Sequence, residues 1–315
     1  MMKNFKRLKK IKGDASFRKF YRDHLNKSII VFSRKEKTKN LLVYDAINKI
    51  LNKNKILAPQ ILSQQYSKNY IEIEDFGDET LLKLLLKKST NKYLIFTKII
   101  KVLNKIQIIK DKRIKNFKKK TYEIKEYKKQ ILFNETKLFL DWYVTKKLSK
   151  FKLVIFNKKF KKEVKNLLSK LSLKNDTFVH RDFHVSNLMN VSNKIGVIDS
   201  QDALIGNKAY DLASLIDDVR LRTSYQLKEK IFNYYVKTNK KIEFKKFEKD
   251  FEILSILRNL KIIGIFMRLA VRDNKKKYLR LIPYAWEMIS YRIKKKKEFK
   301  NLMILLKNNF PKLIT

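Results

Sequence analysis

Hydrophobic positions near the start of the chain follow the period of strands. Tyr70–Glu74 alternates apolar and acidic residues with a period of two, which is typical of a half-buried strand. Ser28–Phe32 is rich in β-branched residues and follows a charged turn, so residues 11–33 are predicted to form strands. Residues 36–53 instead repeat apolar positions every three or four residues, which predicts a helix. We therefore expect residues 1–77 to form a small β-rich lobe with one helix.

Helical periodicity dominates the rest of the chain. Thr80 precedes a leucine-rich run and is a candidate N-cap, and residues 80–170 are mainly helical with a loop near 110–121. Two short apolar runs, at 178–180 and 194–198, predict strands, and helices return from 210 onwards. The predicted class is α+β, in a protein-kinase-like two-lobe arrangement. The expected domains are a nucleotide-binding lobe at 1–77 and a mainly helical lobe at 78–315, which carries the catalytic loop and the substrate-binding helices.

The composition excludes several kinds of protein. With 315 residues, of which 44% are hydrophobic, the chain can build a large core and is not a disordered basic tail. It has no cysteine, which excludes disulfides, thiol nucleophiles and cysteine-ligated metals. It contains no long uncharged apolar stretch, and its basic start lacks the apolar region of a signal peptide. We expect a cytoplasmic protein without a membrane span.

The chain is strongly basic, with 76 Lys+Arg against 30 Asp+Glu and a formal net charge of +46. Such a charge suggests nucleic acid or an anionic surface as a partner. Only 13 of the 76 are arginine, however, whereas phosphate and base recognition favours arginine. The charges are also spread along the whole chain rather than gathered in one region. We therefore interpret them mainly as solvated background charge and expect no specific nucleic-acid partner.

Two segments depart from this basic background. Residues 71–80 contain five acids and no base, and residues 180–218 carry a local net charge of −3. Clusters of acids in so basic a chain suggest a specific function, and binding of a divalent metal ion is the most obvious one.

The second acidic segment, residues 180–218, contains a candidate catalytic motif. His180, Arg181 and Asp182 are followed at the required distance by Asn187, which is the H-R-D-x-x-x-x-N pattern. In this pattern the aspartate accepts the proton of an attacking hydroxyl and the asparagine binds Mg²⁺. Asp199 ends the strand at 194–198, where a second metal ligand is expected.

The surroundings of the motif exclude a protein kinase. Asp199 is followed by Ser200 and Gln201 rather than by Phe-Gly, and Asp211 comes only 12 residues later, which leaves no room for an activation segment. None of the five glycines forms a G-x-G-x-x-G or Walker loop.

These motifs resemble the aminoglycoside phosphotransferase/choline kinase superfamily. The similarity rests on residues 180–189, 196–203 and 209–215, and superfamily motifs cover about residues 13–220. Within the superfamily the chain most resembles bacterial kinases that phosphorylate the anomeric hydroxyl of N-acetylmuramate and N-acetylglucosamine. The stretches at 13–20, 74–78 and 138–143 point to this subgroup.

The resemblance implies a role for each matching residue. Asp182 would be the catalytic base, and Asn187 and Asp199 would hold Mg²⁺. His180 and Asp211 would brace the catalytic loop. ATP would be contacted by an early turn and by the hinge segment at 74–76, which comprise Gly13, Asp14, Ala15, Ser16, Glu74, Asp75 and Phe76.

One position departs from the superfamily pattern. The third strand lacks the lysine that usually holds the α- and β-phosphates, and the following helix lacks the glutamate that pairs with it. Arg34 or Lys35 at the strand end, or Arg18 on the preceding strand, are alternative cations. Asp45 is the nearest acid within the helix.

For each of three candidate substrate-binding residues, the sequence allows two roles. Asp202 either supports the metal site or binds a sugar hydroxyl. His184 either contacts the substrate or packs within the protein. Trp142, with Tyr143, either packs in the core or forms a stacking wall for a sugar.

We thus expect a monomeric ATP- and Mg²⁺-dependent phosphotransferase that acts on a small-molecule sugar in cell-wall recycling. One alternative keeps the fold with choline, ethanolamine or an aminoglycoside as acceptor. The other is a non-catalytic, nucleic-acid-associated protein with a kinase fold.

Overall fold

The computed structural model describes residues 8–11, 18–294 and 296–314, and these form two compact units. The first unit contains the described residues up to Lys125 together with His180–Leu204. The second contains Glu126–Val179 and the described residues from Ile205 onwards. The lobe boundary expected after residue 77 stays a prediction.

The first unit is built on an antiparallel sheet with the strand order β1-β2-β3-β5-β4. Its strands are β1 (Lys9–Ile11), β2 (Lys19–Asp23), β3 (Ser28–Phe32), β4 (Ile61–Gln65) and β5 (Tyr70–Glu74). Helix α1 (Lys39–Lys53) covers one face, because its apolar positions pack against the apolar positions of β3 and β5. The predicted helix and, within the described residues, the predicted strands are therefore present, while residues 12–17 of the predicted strand region lie outside the described residues.

The remainder of the first unit consists of two helices and two hairpins. Thr80 caps α2 (Leu81–Leu86) by accepting a hydrogen bond from the Lys83 amide at 3.2 Å, and α3 (Lys92–Gln107) follows. The expected loop near 110–121 is in fact mostly a hairpin of β6 (Arg113–Lys115) and β7 (Thr121–Glu123). The second hairpin, β9 (Leu188–Val191) with β10 (Lys194–Val197), follows the H-R-D motif.

The second unit is mainly helical. Its strands β8 (Asn175–Val179) and β11 (Leu204–Asn207) pair with each other. Its helices are α4 (Lys129–Leu138), α5 (Lys150–Ser169), α6 (Ala209–Ile216), α7 (Tyr225–Thr238), α8 (Phe244–Arg272), α9 (Ile282–Ile293) and α10 (Lys300–Asn309). A π-helical turn, Phe139–Tyr143, follows α4.

Helix α8 is the central helix of the second unit, and most of its residues are buried. It crosses the π-helical turn at Gly264, where a Cβ atom would lie 2.3 Å from the carbonyl carbon of Leu138. Only glycine permits this approach of two backbones. No helix in the described part of the chain is long and apolar enough to cross a membrane.

Candidate active site

The H-R-D segment is a loop whose two ends are fixed by the β9–β10 hairpin. Asn187 ends the loop, and its carbonyl accepts a hydrogen bond from the amide of Ile198 at 3.0 Å. Its side-chain amide donates to the carbonyl of Asp182 at 3.0 Å. Because Asp199 follows Ile198 directly, the hairpin brings together Asp182, Asn187 and Asp199, the three residues on which the sequence motif depends.

His180 ties the start of the same loop to the end of the hairpin. Its ring is fully buried, and Nε2 lies 3.1 Å from the carbonyl oxygen of Ile198. Burial lowers the pKa of His180, so the imidazole is neutral at neutral pH and Nε2 can donate one hydrogen bond to this carbonyl. The contact fits the bracing role expected for His180.

Two residues of the site have left-handed backbone conformations. Arg181 has φ 73° and Asp199 has φ 63°. Such a conformation costs about 1–2 kcal/mol in a residue with a Cβ atom, although aspartate tolerates it better than most. Arg181 is held by a hydrogen bond from Nη1 to the carbonyl of Asp202 at 3.0 Å. Strained backbone of this kind concentrates at functional sites.

Arg18 supplies a cation beside Asp199. Its Nη2 donates to Oδ1 of Asp199 at 2.7 Å, and its Nη1 donates to Oε1 of Gln201 at 2.9 Å. Of the three cations that the sequence left as alternatives, Arg18 is the one that contacts Asp199. The sequence did not single out Gln201, although its position two residues after Asp199 was a usable signal.

Two aromatic rings flank the Arg18 guanidinium. Its Cζ lies 5.7 Å from the ring centroid of Phe20 and 5.8 Å from that of Tyr44 on α1, within the range of cation–π attraction. Burial raises the pKa of Tyr44 to about 12, so this ring stays neutral. Asp45, the nearest acid in the sequence, instead accepts a hydrogen bond from the amide of Phe117 at 2.5 Å.

The hinge segment at 74–76 is fixed by contacts within the first unit. Glu74 exchanges two hydrogen bonds with the backbone of Gln60, both at 3.0 Å. Asp75 forms an ion pair with Nε of Arg22 at 2.5 Å. The Phe76 ring covers β10 so closely that a Cβ atom at Gly196 would lie 2.8 Å from it. The hinge and the strand that leads to Asp199 are therefore in direct contact.

The acids at 71–80 are explained by partners in the protein rather than by a metal ion. Glu72 accepts hydrogen bonds from the hydroxyls of Ser28 at 2.6 Å and Ser63 at 2.8 Å. Asp78 pairs with Arg22 at 2.6 Å, and this contact lowers the pKa of Asp78. Among the described residues, no three His, Asp or Glu side chains converge as a metal site.

Asn187 and Asp199 nevertheless fit a magnesium ion that is also bound by phosphate. The side-chain nitrogen of Asn187 is used by the Asp182 carbonyl, which leaves its oxygen as the remaining ligand atom. Asp199 uses Oδ1 for Arg18, and its side chain is 43% exposed. Its Oδ2 makes no hydrogen bond to any residue that the structure describes. Magnesium commonly takes one or two protein oxygens and completes its shell with phosphate and water.

The other predicted site residues are divided between the first unit, the second unit and the part of the chain that the structure does not describe. Asp202 accepts a hydrogen bond from Nε2 of Gln201 at 3.0 Å. His184 is buried, with Nε2 3.4 Å from the side-chain nitrogen of Asn187. Trp142, half-buried in the π-helical turn, and Asp211, buried on α6, belong to the second unit. The predicted phosphate turn lies outside the described residues: Gly13, Asp14, Ala15 and Ser16.

Comparison with known proteins places the chain among phosphotransferases. The model of the phosphotransferase enzyme family matches residues 7–240. An N-acetylmuramate/N-acetylglucosamine kinase of Neisseria meningitidis serogroup B is 28% identical over 281 residues, which cover 86% of this chain and 81% of that protein. One of the same name from Pseudomonas putida is 26% identical over 298 residues, which cover 92% of this chain and 84% of the relative.

A solved structure with the same fold is a choline/ethanolamine kinase family protein from Mesorhizobium loti. It superposes with a TM-score of 0.63 at 10% identity, covering 96% of this chain and 92% of that one. This likeness confirms the expected α+β, kinase-like class with a sheet-rich N-terminal part and a mostly helical C-terminal part. The chain therefore belongs to the phosphotransferase enzyme family and is an ATP-dependent enzyme that transfers phosphate to a hydroxyl group.

Proposed function

We propose that this enzyme uses MgATP to phosphorylate the anomeric hydroxyl of N-acetylmuramate or N-acetylglucosamine in the recycling of cell-wall sugars. The observation that carries this proposal is the joined loop and hairpin that position Asp182, Asn187 and Asp199 within one unit. The acceptor is inferred from the relatives, which are named as kinases of these two sugars and match most of the chain.

In this proposal Asp182 is the general base. It takes the proton of the sugar hydroxyl while the hydroxyl oxygen bonds to the γ-phosphorus and the bond from phosphorus to the β-phosphate oxygen breaks, which leaves ADP. An anomeric hydroxyl is more acidic than an ordinary alcohol, so its proton is easier for Asp182 to accept. The donation from Asn187 to the Asp182 carbonyl keeps the loop in place during this transfer.

The charge of the transferred group is balanced by the residues around Asp199. A magnesium ion held by Asn187 and Asp199 would neutralise the phosphates. Arg18 carries the second positive charge, and its hydrogen bonds to Gln201 and Asp199 hold the guanidinium beside the proposed metal ligand. We assign to Arg18 the role that a strand lysine has elsewhere in the superfamily. Positioning and charge neutralisation account for most of the catalysis in this scheme.

The remaining assignments complete the scheme. We assign adenine to the backbone at 74–76 and the phosphates to residues 13–16. His180 and Asp211 brace the catalytic loop. His184, Asp202 and Trp142 are the candidates for contact with the acceptor. Choline, ethanolamine and aminoglycosides are less favoured acceptors, because the sequence relatives are named as sugar kinases.

The direct test is a panel of acceptors with purified protein and MgATP. The panel contains N-acetylmuramate, N-acetylglucosamine, choline and kanamycin, and ADP release is measured for each. We expect turnover with the two sugars and a ³¹P signal split by the anomeric proton in the product. A variant Asp182→Asn should be inactive, whereas Asp176→Asn, which changes an exposed acid, should keep its activity. Turnover with choline or kanamycin alone would refute the sugar assignment.

A further inference from the structure

Asp199, the proposed metal ligand, has a backbone conformation that few residues with a Cβ atom adopt. Its φ is 63° and its ψ is 36°, which lies in the left-handed region. The strain of such a residue corresponds to a factor of about 5 to 30 in an equilibrium constant. The conformation therefore persists only if neighbouring contacts hold it.

Strand β10 fixes the backbone on the N-terminal side of Asp199. The amide of Val197 donates to the carbonyl of Leu57 at 2.7 Å, and the amide of Ile198 donates to the carbonyl of Asn187 at 3.0 Å. These two hydrogen bonds hold the end of the strand, but they do not fix φ and ψ of the next residue. A restraint on the C-terminal side of Asp199 is also needed.

Ser200 supplies this second restraint. It is fully buried, and its hydroxyl donates to Oδ1 of Asn48 at 2.5 Å. Asn48 lies on α1, 152 residues away in sequence, and is only 2% exposed. A hydrogen bond between two buried side chains is strong, because the local dielectric constant is low and water is excluded. The residue that follows Asp199 is thus tied to helix α1.

Asn48 is itself held by two further contacts in the first unit. Its Nδ2 donates to the carbonyl of Pro59 at 2.8 Å. It also shares a side-chain hydrogen bond with Tyr44, which lies one turn earlier on α1. The ring of Tyr44 in turn flanks the guanidinium of Arg18. Asn48 therefore has a fixed orientation when it accepts the hydroxyl of Ser200.

The segment at 57–59 connects the same helix to the strand that leads to Asp199. Leu57 forms a parallel bridge with Gly196 on β10. Asn52, one turn after Asn48 on α1, donates to the carbonyl of Ala58 at 2.9 Å. Helix α1 thus restrains both sides of Asp199, through this segment on the N-terminal side and through Ser200 on the C-terminal side.

We propose that Asn48 is a positioning residue that, through Ser200, keeps Asp199 in the conformation that binds the metal ion. This inference rests on the proposed function, which assigns Mg²⁺ to Asn187 and Asp199. Arg18 contacts the carboxylate of Asp199, whereas Asn48 acts on its backbone. If the competent conformation is populated only in part, the apparent affinity for Mg²⁺ falls in proportion to the populated fraction.

The test measures how Mg²⁺ strengthens the binding of ADP to Ser200→Ala, a variant that lacks the hydroxyl but retains Asn48. Binding is followed by isothermal titration calorimetry at increasing Mg²⁺ concentrations. We expect the Mg²⁺ concentration for half of the full effect to rise by about 5- to 30-fold, the factor that corresponds to the strain at Asp199. The affinity for ADP without Mg²⁺ should be unchanged. In turnover, kcat should recover at saturating Mg²⁺.

Two further variants separate positioning from general stability. Ser255→Ala is the matched control, because it also removes a buried serine hydroxyl that donates at 2.5 Å, in this case to Asp217 of the second unit. It should lose stability in urea as Ser200→Ala does, but it should keep the Mg²⁺ dependence of wild type. Asn48→Ala should shift the Mg²⁺ dependence, and the double variant with Ser200→Ala should shift it no further than the larger single effect.

Hydrogen exchange in the ligand-free proteins reports on the backbone without nucleotide or metal. The amides of Ile198 and Ala203 flank the turn and are both hydrogen-bonded in the folded chain. Their exchange should be faster in Ser200→Ala than in wild type, because the turn opens more often. In Ser255→Ala it should remain as in wild type.

Several results would overturn this inference. One is an unchanged Mg²⁺ dependence in folded Ser200→Ala, and another is an equal change in Ser255→Ala. Additive effects of Asn48→Ala and Ser200→Ala would show that the two residues do not act together. If Mg²⁺ did not strengthen ADP binding by the wild type, the metal site of the proposed function would fail. The hydrogen-exchange comparison would then still decide whether Asn48 and Ser200 hold the backbone of Asp199.

Discussion

Replacement of Arg18 by methionine tests the most specific feature of the nucleotide site. Methionine retains an apolar stem between Phe20 and Tyr44 but removes the guanidinium that contacts Asp199 and Gln201. A charge-assisted hydrogen bond contributes about 1.5–3 kcal/mol. The loss of one such bond to phosphate corresponds to a decrease in kcat/KM for ATP of about 10- to 100-fold. The decrease should appear mainly as a higher KM for ATP, with little change in the KM for the sugar.

The effect of the same change on stability should be small. Asp199 has a side chain that is 43% exposed, so water can solvate its carboxylate after Arg18 is removed. A partly exposed ion pair contributes about 0–1 kcal/mol. The melting temperature should therefore remain close to that of wild type. This separates a role in ATP binding from a role in folding.

Steady-state kinetics with ATP as the varied substrate provide the assay. Lys19→Met is the matched control, because it removes one positive charge from the next residue, which is exposed. Arg18→Lys should recover part of the lost affinity, since it restores the charge without the second donor. A kcat/KM for ATP within twofold of wild type in Arg18→Met would refute the assignment of Arg18 to the phosphates.

Three further predictions concern stability, each measured as the free energy of unfolding in urea. Burial lowers the pKa of His180, so below about pH 6.5 the unfolded chain binds a proton that the folded protein does not. The free energy of unfolding should therefore decrease as the pH is lowered below about 6.5, and this decrease should be smaller in His180→Gln. Gly264→Ala should cost about 3 kcal/mol, because the new Cβ would meet the Leu138 backbone at 2.3 Å; a cost below 1 kcal/mol would contradict this packing. Arg292→Met should cost about 3–5 kcal/mol, because it leaves Asp217 buried with less compensation; an unchanged stability would show that the pair is not needed.

Local patterns predicted much of the fold. The period-two alternation at Tyr70–Glu74 and the helical period at 36–53 correspond to β5 and α1. The exception near 110–121 is a short hairpin, and such hairpins have too few residues for a clear period. Periodicity also gave no sign that His180–Leu204 would join the unit that contains the five-stranded sheet, because this depends on contacts distant in sequence.

The candidate site was predictable only where one motif contained it. The motif predicted that Asp182, Asn187 and Asp199 lie close together, because of the spacing of the first two and the strand before the third. The sequence could not choose between Arg18, Arg34 and Lys35, because Arg18 and Asp199 are 181 residues apart. Three-dimensional placement was needed to decide.

Gln201 was not singled out from the sequence, although it lies only two residues after Asp199. Gln201 becomes important only through its hydrogen bonds with Arg18 and Asp202. These contacts exist only in the folded chain.

The rate of sugar-phosphate formation in a single turnover of Asp182→Asn tests the central claim most directly. Asparagine has the size of aspartate but cannot accept the proton, while the hydrogen bond from Asn187 to the backbone carbonyl at position 182 can remain. We predict that ATP still binds with wild-type affinity and that phosphate transfer slows by about 10²–10⁴-fold. Transfer at the wild-type rate by a folded Asp182→Asn protein would contradict the assignment of this loop as the catalytic centre.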